Sequence, residues 1–277
     1  MELHRREFEE IRHLVHTTMG IWLADEKQTM VQNRLHKFVA SKGFPSYARY
    51  IDHVREDKTG QELVELASRI STNFTFFFRE NEHFTFLKNQ ALPQIARRQK
   101  AGRGERDLRI WCAACATGEE AYSLMITVME FLGKEYPLWN GGLLATDISA
   151  RALTTAKTGV YEKEKLKLVP GTLRVKYFHP VGDQQFEVVP ALKREITFRH
   201  FNLTNRTFPF KKPFQAIFCR NMMMYLDNQG RNELLRRFHH WLVPGGYLFI
   251  GHSESIRGFD LPFEYVQPSV FRKVGPE

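Results

Sequence analysis

Apolar residues repeat at helical intervals through the amino-terminal part of the chain. From Arg5 to Met19, the positions Phe8, Ile11, Leu14, Val15 and Thr18 share one face, which predicts an amphipathic helix. A second helix is expected over about Glu26 to Ser41, with Met30, Leu35 and Phe38 turned inward and Lys27, Arg34 and Lys37 largely outward. Gly43 and Pro45 punctuate the chain. Ser46 is then placed to cap a segment carrying Tyr47, Tyr50, Ile51 and Val54, and another helix runs through Glu62 to Ile70. No strand pattern precedes residue 100. The basic, glycine-containing run Arg97-Arg-Gln-Lys-Ala-Gly-Arg-Gly-Glu-Arg106 reads as an exposed linker.

Beyond that run the period changes. Asp107 to Cys112 is a short buried-strand pattern, followed by a glycine-containing turn and an apolar helix from Glu119 to Leu132. Gly142 to Asp147 is a second strand, and Ser149 opens the next helix. Ile196 to Phe201, Phe214 to Cys219 and Gly246 to Gly251 continue the strand series, while Arg231 to Leu242 is helical until Pro244-Gly-Gly stops it. Strands alternating with helices predict an α/β fold with a parallel sheet covered on both faces. The polar stretch from Glu162 to Arg194 alternates weakly at Phe186 and Val188, as a small β insertion would. The expected domains are a helical one over 1–90, a linker over 91–106, and an α/β domain over 107–277 carrying the insertion at about 165–196.

Composition narrows the class. A chain of 277 residues with 43% hydrophobic and 26% charged residues has the balance of an ordinary globular protein. No apolar run approaches the roughly 18 residues that span a bilayer. The opening Met-Glu-Leu-His-Arg-Arg-Glu-Phe lacks the apolar core of a signal peptide, so cytoplasmic residence without membrane insertion is expected. Three cysteines in a chain this long suit a reducing compartment rather than a disulfide framework. A formal charge of +9 favours a polyanionic partner without choosing among nucleic acid, membrane surface and acidic protein.

The candidate chemistry lies at strand ends, where ligands of open α/β sheets sit. After the first strand, Ala113 to Gly118 are mostly small and allow close approach to the backbone. With one glycine there is no dinucleotide fingerprint, and no Gly-Lys-Ser/Thr marks a P-loop, so an adenosine ligand without phosphates fits best. Asp147 ends the second strand; it either accepts the ribose hydroxyls or caps the helix near Ser149. Thr117-Gly-Glu-Glu120 is compatible with a capping box as well as with a ligand contact through Glu120. Cys112 and Cys115 form a C-x-x-C, but neither a second such pair nor a histidine pair completes a metal set, so they are expected to pack as small hydrophobes and no metal is expected. In Ser71-Thr-Asn-Phe-Thr-Phe-Phe-Phe-Arg-Glu80, Arg79 either snorkels from a buried seam or stands beside a cleft between the domains, where it could grip a carboxylate. Asn221, in Phe218-Cys-Arg-Asn221-Met-Met-Met-Tyr225, falls at another strand end.

Taken in order, Ser71-Thr-Asn-x-Thr-x-Phe-Phe-Arg-Glu80, Cys115-Ala-Thr-Gly-Glu-Glu-Ala-Tyr-Ser123, Ala145-Thr-Asp-Ile-Ser149, Phe218-Cys-Arg-Asn221 and Gly251-His-Ser-Glu254 resemble the CheR family of chemotaxis receptor glutamate methyltransferases. The likeness runs over nearly the whole chain. It implies a Rossmann-like S-adenosylmethionine-dependent methyltransferase sheet behind an all-helical receptor-recognition domain. It also implies in-line transfer of a methyl group to receptor glutamates, leaving S-adenosylhomocysteine. By the same resemblance Asn73, Thr75 and Arg79 contact the cofactor from the amino-terminal side. Glu120, or its neighbour Glu119, lies near the methionine end and Asp147 at the ribose, while Asn202, Leu203, Asn221 and Met222 line the adenosine pocket. Arg79 and Tyr225 would lie closest to the methyl group and carry the catalytic roles. Ala121, where the family usually has proline, and the bulky Met222 and Met224 depart from the pattern without removing a contact.

The partners implied are acidic receptor helices, which Lys27, Arg34 and Lys37 could steer in, unless these are ordinary solvated positions. Two rivals remain. A nucleic-acid methyltransferase also suits the positive charge, but no aromatic-basic stacking stripe is evident and nucleic acid is not the expected partner. A non-catalytic cofactor-binding regulator would bind S-adenosylmethionine and transfer nothing.

Overall fold

The structure is a computed structural model that describes residues 1–70, 75–101 and 106–275. It divides into two compact units, one of Met1–Asn73 with Met223–Glu233, the other of Phe74–Met222 with Leu234–Glu277.

The first unit is helical. Helix α1 (Arg5–Met19) begins where the Glu7 carboxylate accepts the His4 N–H at 2.9 Å, and it ends at Gly20 in the left-handed region. Phe8, Ile11 and Val15 are fully buried, whereas Leu14 is only half-buried and Thr18 is exposed, so the inward stripe is narrower than the spacing predicts. A 3-10 turn at Asp25–Lys27 precedes α2 (Gln28–Ser41), which buries Val31, Leu35, Phe38 and Val39. Met30 stays partly exposed; Val31 takes the place expected for it. In α3 (Tyr47–Glu56) the Ser46 hydroxyl accepts from the Arg49 N–H, and Tyr47, Tyr50, Ile51 and Val54 are buried as their spacing requires. Helix α4 (Gln61–Ile70) buries Leu66, Ala67 and Ile70. Residues 223–233 join this unit through Trp22, whose N–H donates to the Tyr225 carbonyl at 2.6 Å, and through a 3.0 Å pair between His16 and Asp227.

The second unit starts with helix α5 (Asn81–Phe86), a π-turn at Leu87–Ala91 and α6 (Leu92–Ala101). This continuous helical stretch corrects the domain end at 90 and the first part of the expected linker, 91–101, which is helix; residues 102–105 lie outside the described residues. Leu87, Ala91, Leu92 and Ile95 are buried along it, and the basic residues Arg97, Arg98 and Lys100 are simply its wet face.

The remaining elements are β1 (Asp107–Ala113), α7 (Glu119–Leu132), β2 (Asn140–Asp147), α8 (Ala150–Thr158), β3 (Val160–Glu162), α9 (Gly171–Tyr177), β4 (Phe178–Pro180), β5 (Gln185–Val188), α10 (Pro190–Lys193), β6 (Ile196–His200), β7 (Phe214–Cys219), α11 (Asn228–Trp241), β8 (Leu242–Ile250), β9 (Phe263–Gln267) and β10 (Val270–Lys273). The principal sheet is seven-stranded in the order β6-β2-β1-β7-β8-β10-β9. Its first five strands run parallel, and β10 and β9 add an antiparallel edge. From β1 the chain moves one way to β2 and later the other way to β7, so the switch point lies between β1 and β7.

The small insertion is a three-stranded antiparallel sheet in the order β3-β5-β4, and it starts at Val160, ahead of the expected 165. It also contains a 3-10 turn at Lys163–Leu166 and the short helices α9 and α10, which the polar stretch did not disclose. Its Tyr161 and Phe178 meet Phe77 edge-on at 5.0 and 5.1 Å, which seats the phenylalanine-rich segment. The helix expected to reach Leu242 stops at Trp241. Strand β8 begins at once, and its register against β7 shifts between Phe214 and Ala216 to accommodate Pro244-Gly245-Gly246. Among the described residues no helix is long and apolar enough to cross a membrane.

Candidate functional site

The carboxyl ends of β1, β2 and β7 carry the polar side chains that the sheet core does not absorb. After β1 the chain turns sharply, with Ala114 and Ala116 both at positive φ (65° and 46°). Two hydrogen bonds pin this turn to β2: the Cys115 N–H to the Thr146 carbonyl at 2.9 Å, and the Ala116 N–H to Asp147 Oδ2 at 2.8 Å. Gly118 ends the turn at φ 97° as the cap residue of α7; a Cβ there would lie 2.8 Å from Ala156 Cβ and 2.9 Å from the Tyr161 hydroxyl. Glycine is thus required by both backbone and space.

Asp147 is buried and its other oxygen accepts the Ser149 N–H at 2.8 Å, while Ser149 itself caps α8 through the Ala152 N–H. The carboxylate therefore supports the start of α8 and also holds the β1–α7 turn. With two of about four lone-pair sites used, it retains acceptor capacity for hydroxyl donors.

A second group of charges centres on Arg220, which follows β7 and is fully buried. Its Nη1 donates to Glu120 at 2.8 Å, its Nη2 and Nε to Glu80 at 3.0 and 3.3 Å, and its Nη2 also to the Arg79 carbonyl. Glu80 in turn accepts from Asn221 Nδ2 at 3.4 Å and has Arg79 Nε at 4.0 Å. The Asn221 and Gly251 N–H groups both donate to Glu254 Oε2, at 2.9 and 2.7 Å. A Cβ on Gly251 would meet the Asn221 nitrogen at 2.8 Å, so the approach of β8 to this turn needs glycine. Phe78, Glu80 and Asn221 also sit at positive φ. Together with Ala114 and Ala116, these place backbone strain of order 1 kcal/mol or more per residue around the same strand ends, as functional sites do.

Burial is the largest influence on each carboxylate here. It pushes Asp147 above the usual range despite the backbone N–H groups that oppose it. It likewise raises Glu120, with Arg220 opposing. For Glu80, burial is outweighed by Arg220, His252 and Asn221, and the carboxyl is held below its ordinary value. The thiols of Cys112, Cys115 and Cys219 are pushed well up by burial. All three are buried, and the Cys112 thiol donates to Glu120 Oε1 at 3.4 Å.

Arg79, Glu120 and Asn221 are thus brought together, and Asp147 stands at the end of β2, which β1 separates from β7. The capping-box alternative for Glu120 fails: the cap residue is Gly118, and the Thr117 hydroxyl donates instead to Glu119, at 2.6 Å. Glu119 pairs with Lys165 at 3.0 Å, and Lys165 also donates to the Thr75 carbonyl at 2.5 Å. Asn202 follows β6 beside β2, where the Phe201 N–H donates to the Asp147 carbonyl at 3.0 Å; its own Oδ1 accepts from Thr204. Leu203 is buried and Met222 half-buried. Thr75 and Arg79 belong to the second unit, not the amino-terminal one, and Tyr225 groups with the first. Asn73 lies outside the described residues. Lys27 and Lys37 are exposed, but Arg34 is half-buried and donates to the Ile70 carbonyl, so part of its role is structural.

Sequence reasoning gave no part to Arg220, Glu80 or Glu254. All three lie inside the quoted motifs, and the signal was there in Arg220, a charged residue directly after an unbroken apolar strand.

An open parallel sheet with a carboxylate on β2, a tight small-residue turn after β1 and a switch point between β1 and β7 is the fold of the S-adenosylmethionine-dependent methyltransferase class. Residues 6–71 match the family described as CheR methyltransferase, all-alpha domain, and residues 73–271 match CheR methyltransferase, SAM binding domain. A chemotaxis protein methyltransferase of Borreliella burgdorferi is 37% identical over 261 residues, covering 94% of this chain and 91% of that protein. The chemotaxis protein methyltransferase of Escherichia coli is 35% identical over 259 residues, covering 92% and 86%. The chain belongs to the CheR methyltransferase family.

Proposed function

We propose that the chain transfers methyl groups from S-adenosylmethionine to glutamate side chains of chemotaxis receptors in the cytoplasm, giving glutamate methyl esters. One arrangement carries this proposal: the buried Asp147 carboxylate at the carboxyl end of β2 and the Arg79–Glu80–Arg220–Glu120 group at the same end of the sheet, beyond β1 and β7, in a chain of this family. The residues fit the cofactor by the chemistry of their donors and acceptors, since a carboxylate with spare lone pairs suits ribose hydroxyls and the alanine turn leaves backbone approachable. When bound, S-adenosylmethionine supplies a methyl group on a sulfonium, so that the leaving group is a neutral thioether.

The chain's own residues then bind and orient. Asp147 receives the ribose, Asn202, Leu203, Asn221 and Met222 line the adenosine, and Glu120 stands towards the methionine end, with Thr75 completing the contacts. Arg79 orients the acceptor carboxylate, and Tyr225 is the second residue given a catalytic role. A glutamate with a pKa of about 4.3 is ionised at neutral pH, so no general base is needed. Alignment alone can contribute roughly 7–11 kcal/mol. Lys27 and Lys37, with Arg34, would steer acidic receptor helices.

Separate substitutions test the roles. Asp147→Asn should weaken S-adenosylhomocysteine binding about 10- to 100-fold, because an amide cannot accept at both oxygens as the carboxylate does. Arg79→Ala should lower turnover more than cofactor affinity. Receptor methylation at near-native rates by Arg79→Ala would remove its catalytic assignment.

A further inference from the structure

Beside the Arg220 group, two histidines and a carboxylate converge. His83 Nδ1 lies 3.6 Å from Glu80 Oε2, and the His83 and His252 rings meet edge-on with centroids 4.9 Å apart. One ligand-capable atom from each of Glu80, His83 and His252 falls within 4.8 Å of the others. His83 is fully buried, yet among the described residues neither ring nitrogen has a hydrogen-bond partner. That is a costly state for an imidazole, and one that a ligand would relieve. The Phe249 ring, at 5.8 Å, fixes its orientation from another side.

We propose that Glu80, His83 and His252 form a binding site for a divalent transition-metal ion of the zinc class. Two imidazoles and one carboxylate are a donor set that suits zinc, with the remaining position left to water on the exposed His252 side. Bonds of about 2.0–2.1 Å place tetrahedral ligand atoms roughly 3.4 Å apart. The Glu80–His83 pair is already near that spacing, and the exposed His252 can swing to meet it. Asn221 holds the second Glu80 oxygen, the sort of outer contact that orients a ligating carboxylate. Arg220 bonds the same Glu80 oxygen that the ion would take, so the ion and the guanidinium compete for it. Zinc occupancy therefore loosens the Arg220 group.

The test is calorimetric titration of the untagged full chain with zinc chloride, repeated for His252→Ala, whose side chain is exposed. One equivalent is expected to bind, at least about tenfold more weakly in the variant. Cobalt(II) in place of zinc should give a visible spectrum free of sulfur-to-metal charge transfer. Absence of binding, equal affinity in His252→Ala, or a thiolate charge-transfer band pointing to the cysteines would each overturn the proposal.

Discussion

Arg220 offers the most direct perturbation of the site's framework. In Arg220→Ala the bonds to Glu120 at 2.8 Å and to Glu80 at 3.0 and 3.3 Å are lost, together with the one to the Arg79 carbonyl. Both carboxylates are only 13% exposed, so neither is rescued by bulk water. Removing one partner from a buried charge group costs about 3–5 kcal/mol, a large part of the 5–15 kcal/mol that typically holds a protein folded. Arg220→Lys keeps the charge but has no planar fork to serve three acceptors, and should cost about 2 kcal/mol. Urea unfolding followed by circular dichroism at neutral pH measures both.

The pH dependence adds a signed check. In the native chain burial opposes charge on Glu80, but Arg220, His252 and Asn221 hold its pKa below the unfolded value of about 4.3. Its contribution is therefore present above that value and is lost as pH falls through the folded pKa. Without Arg220, burial governs both Glu80 and Glu120 and raises their folded pKa values. The deficit of Arg220→Ala should then be greatest at neutral pH and shrink as pH falls towards the unfolded value. A loss below about 1 kcal/mol, or a deficit that does not change with pH, would refute the assignment of Arg220 as the charge centre.

Two further outcomes follow from the geometry. Gly118→Ala combines left-handed strain with a Cβ 2.8 Å from Ala156, and should destabilise by about 2–4 kcal/mol in the same unfolding assay. Reversing Lys27 and Lys37 to glutamate should slow receptor association and flatten its salt dependence while leaving S-adenosylhomocysteine affinity unchanged, as titration can show; Arg34→Glu should in addition lower thermal stability, because Arg34 donates to the Ile70 carbonyl.

The parts legible in the sequence were those whose pattern is local. Helices α1, α3 and α4 follow from the spacing of their apolar residues, and β1, β2, β6 and β7 from short apolar runs ending in Ala113, Asp147, His200 and Cys219. The stretch from α5 to α6 was misread because its basic carboxyl half looks like a linker, although Leu92 and Ile95 continue the buried stripe. Strands β9 and β10 were missed, since a short edge pair with exposed Glu264 and Tyr265 shows little alternation. In the site, the motifs pointed to Arg79, Glu120, Asp147 and Asn221. A charge directly after an apolar strand marks Arg220, but the partners of Arg220 and Glu254 are not legible, because they depend on approaches such as that of Glu80 to Arg220 across 140 positions, which no local period encodes.

The proposed chemistry is tested most directly by incubating the full chain with S-adenosylmethionine labelled in its methyl group and membranes bearing chemotaxis receptors, then treating the receptor band with mild base. Methyl esters of glutamate predict label on the receptor that base releases as volatile methanol. Label that stays on the receptor through base treatment, appears in nucleic acid, or is never transferred would contradict it.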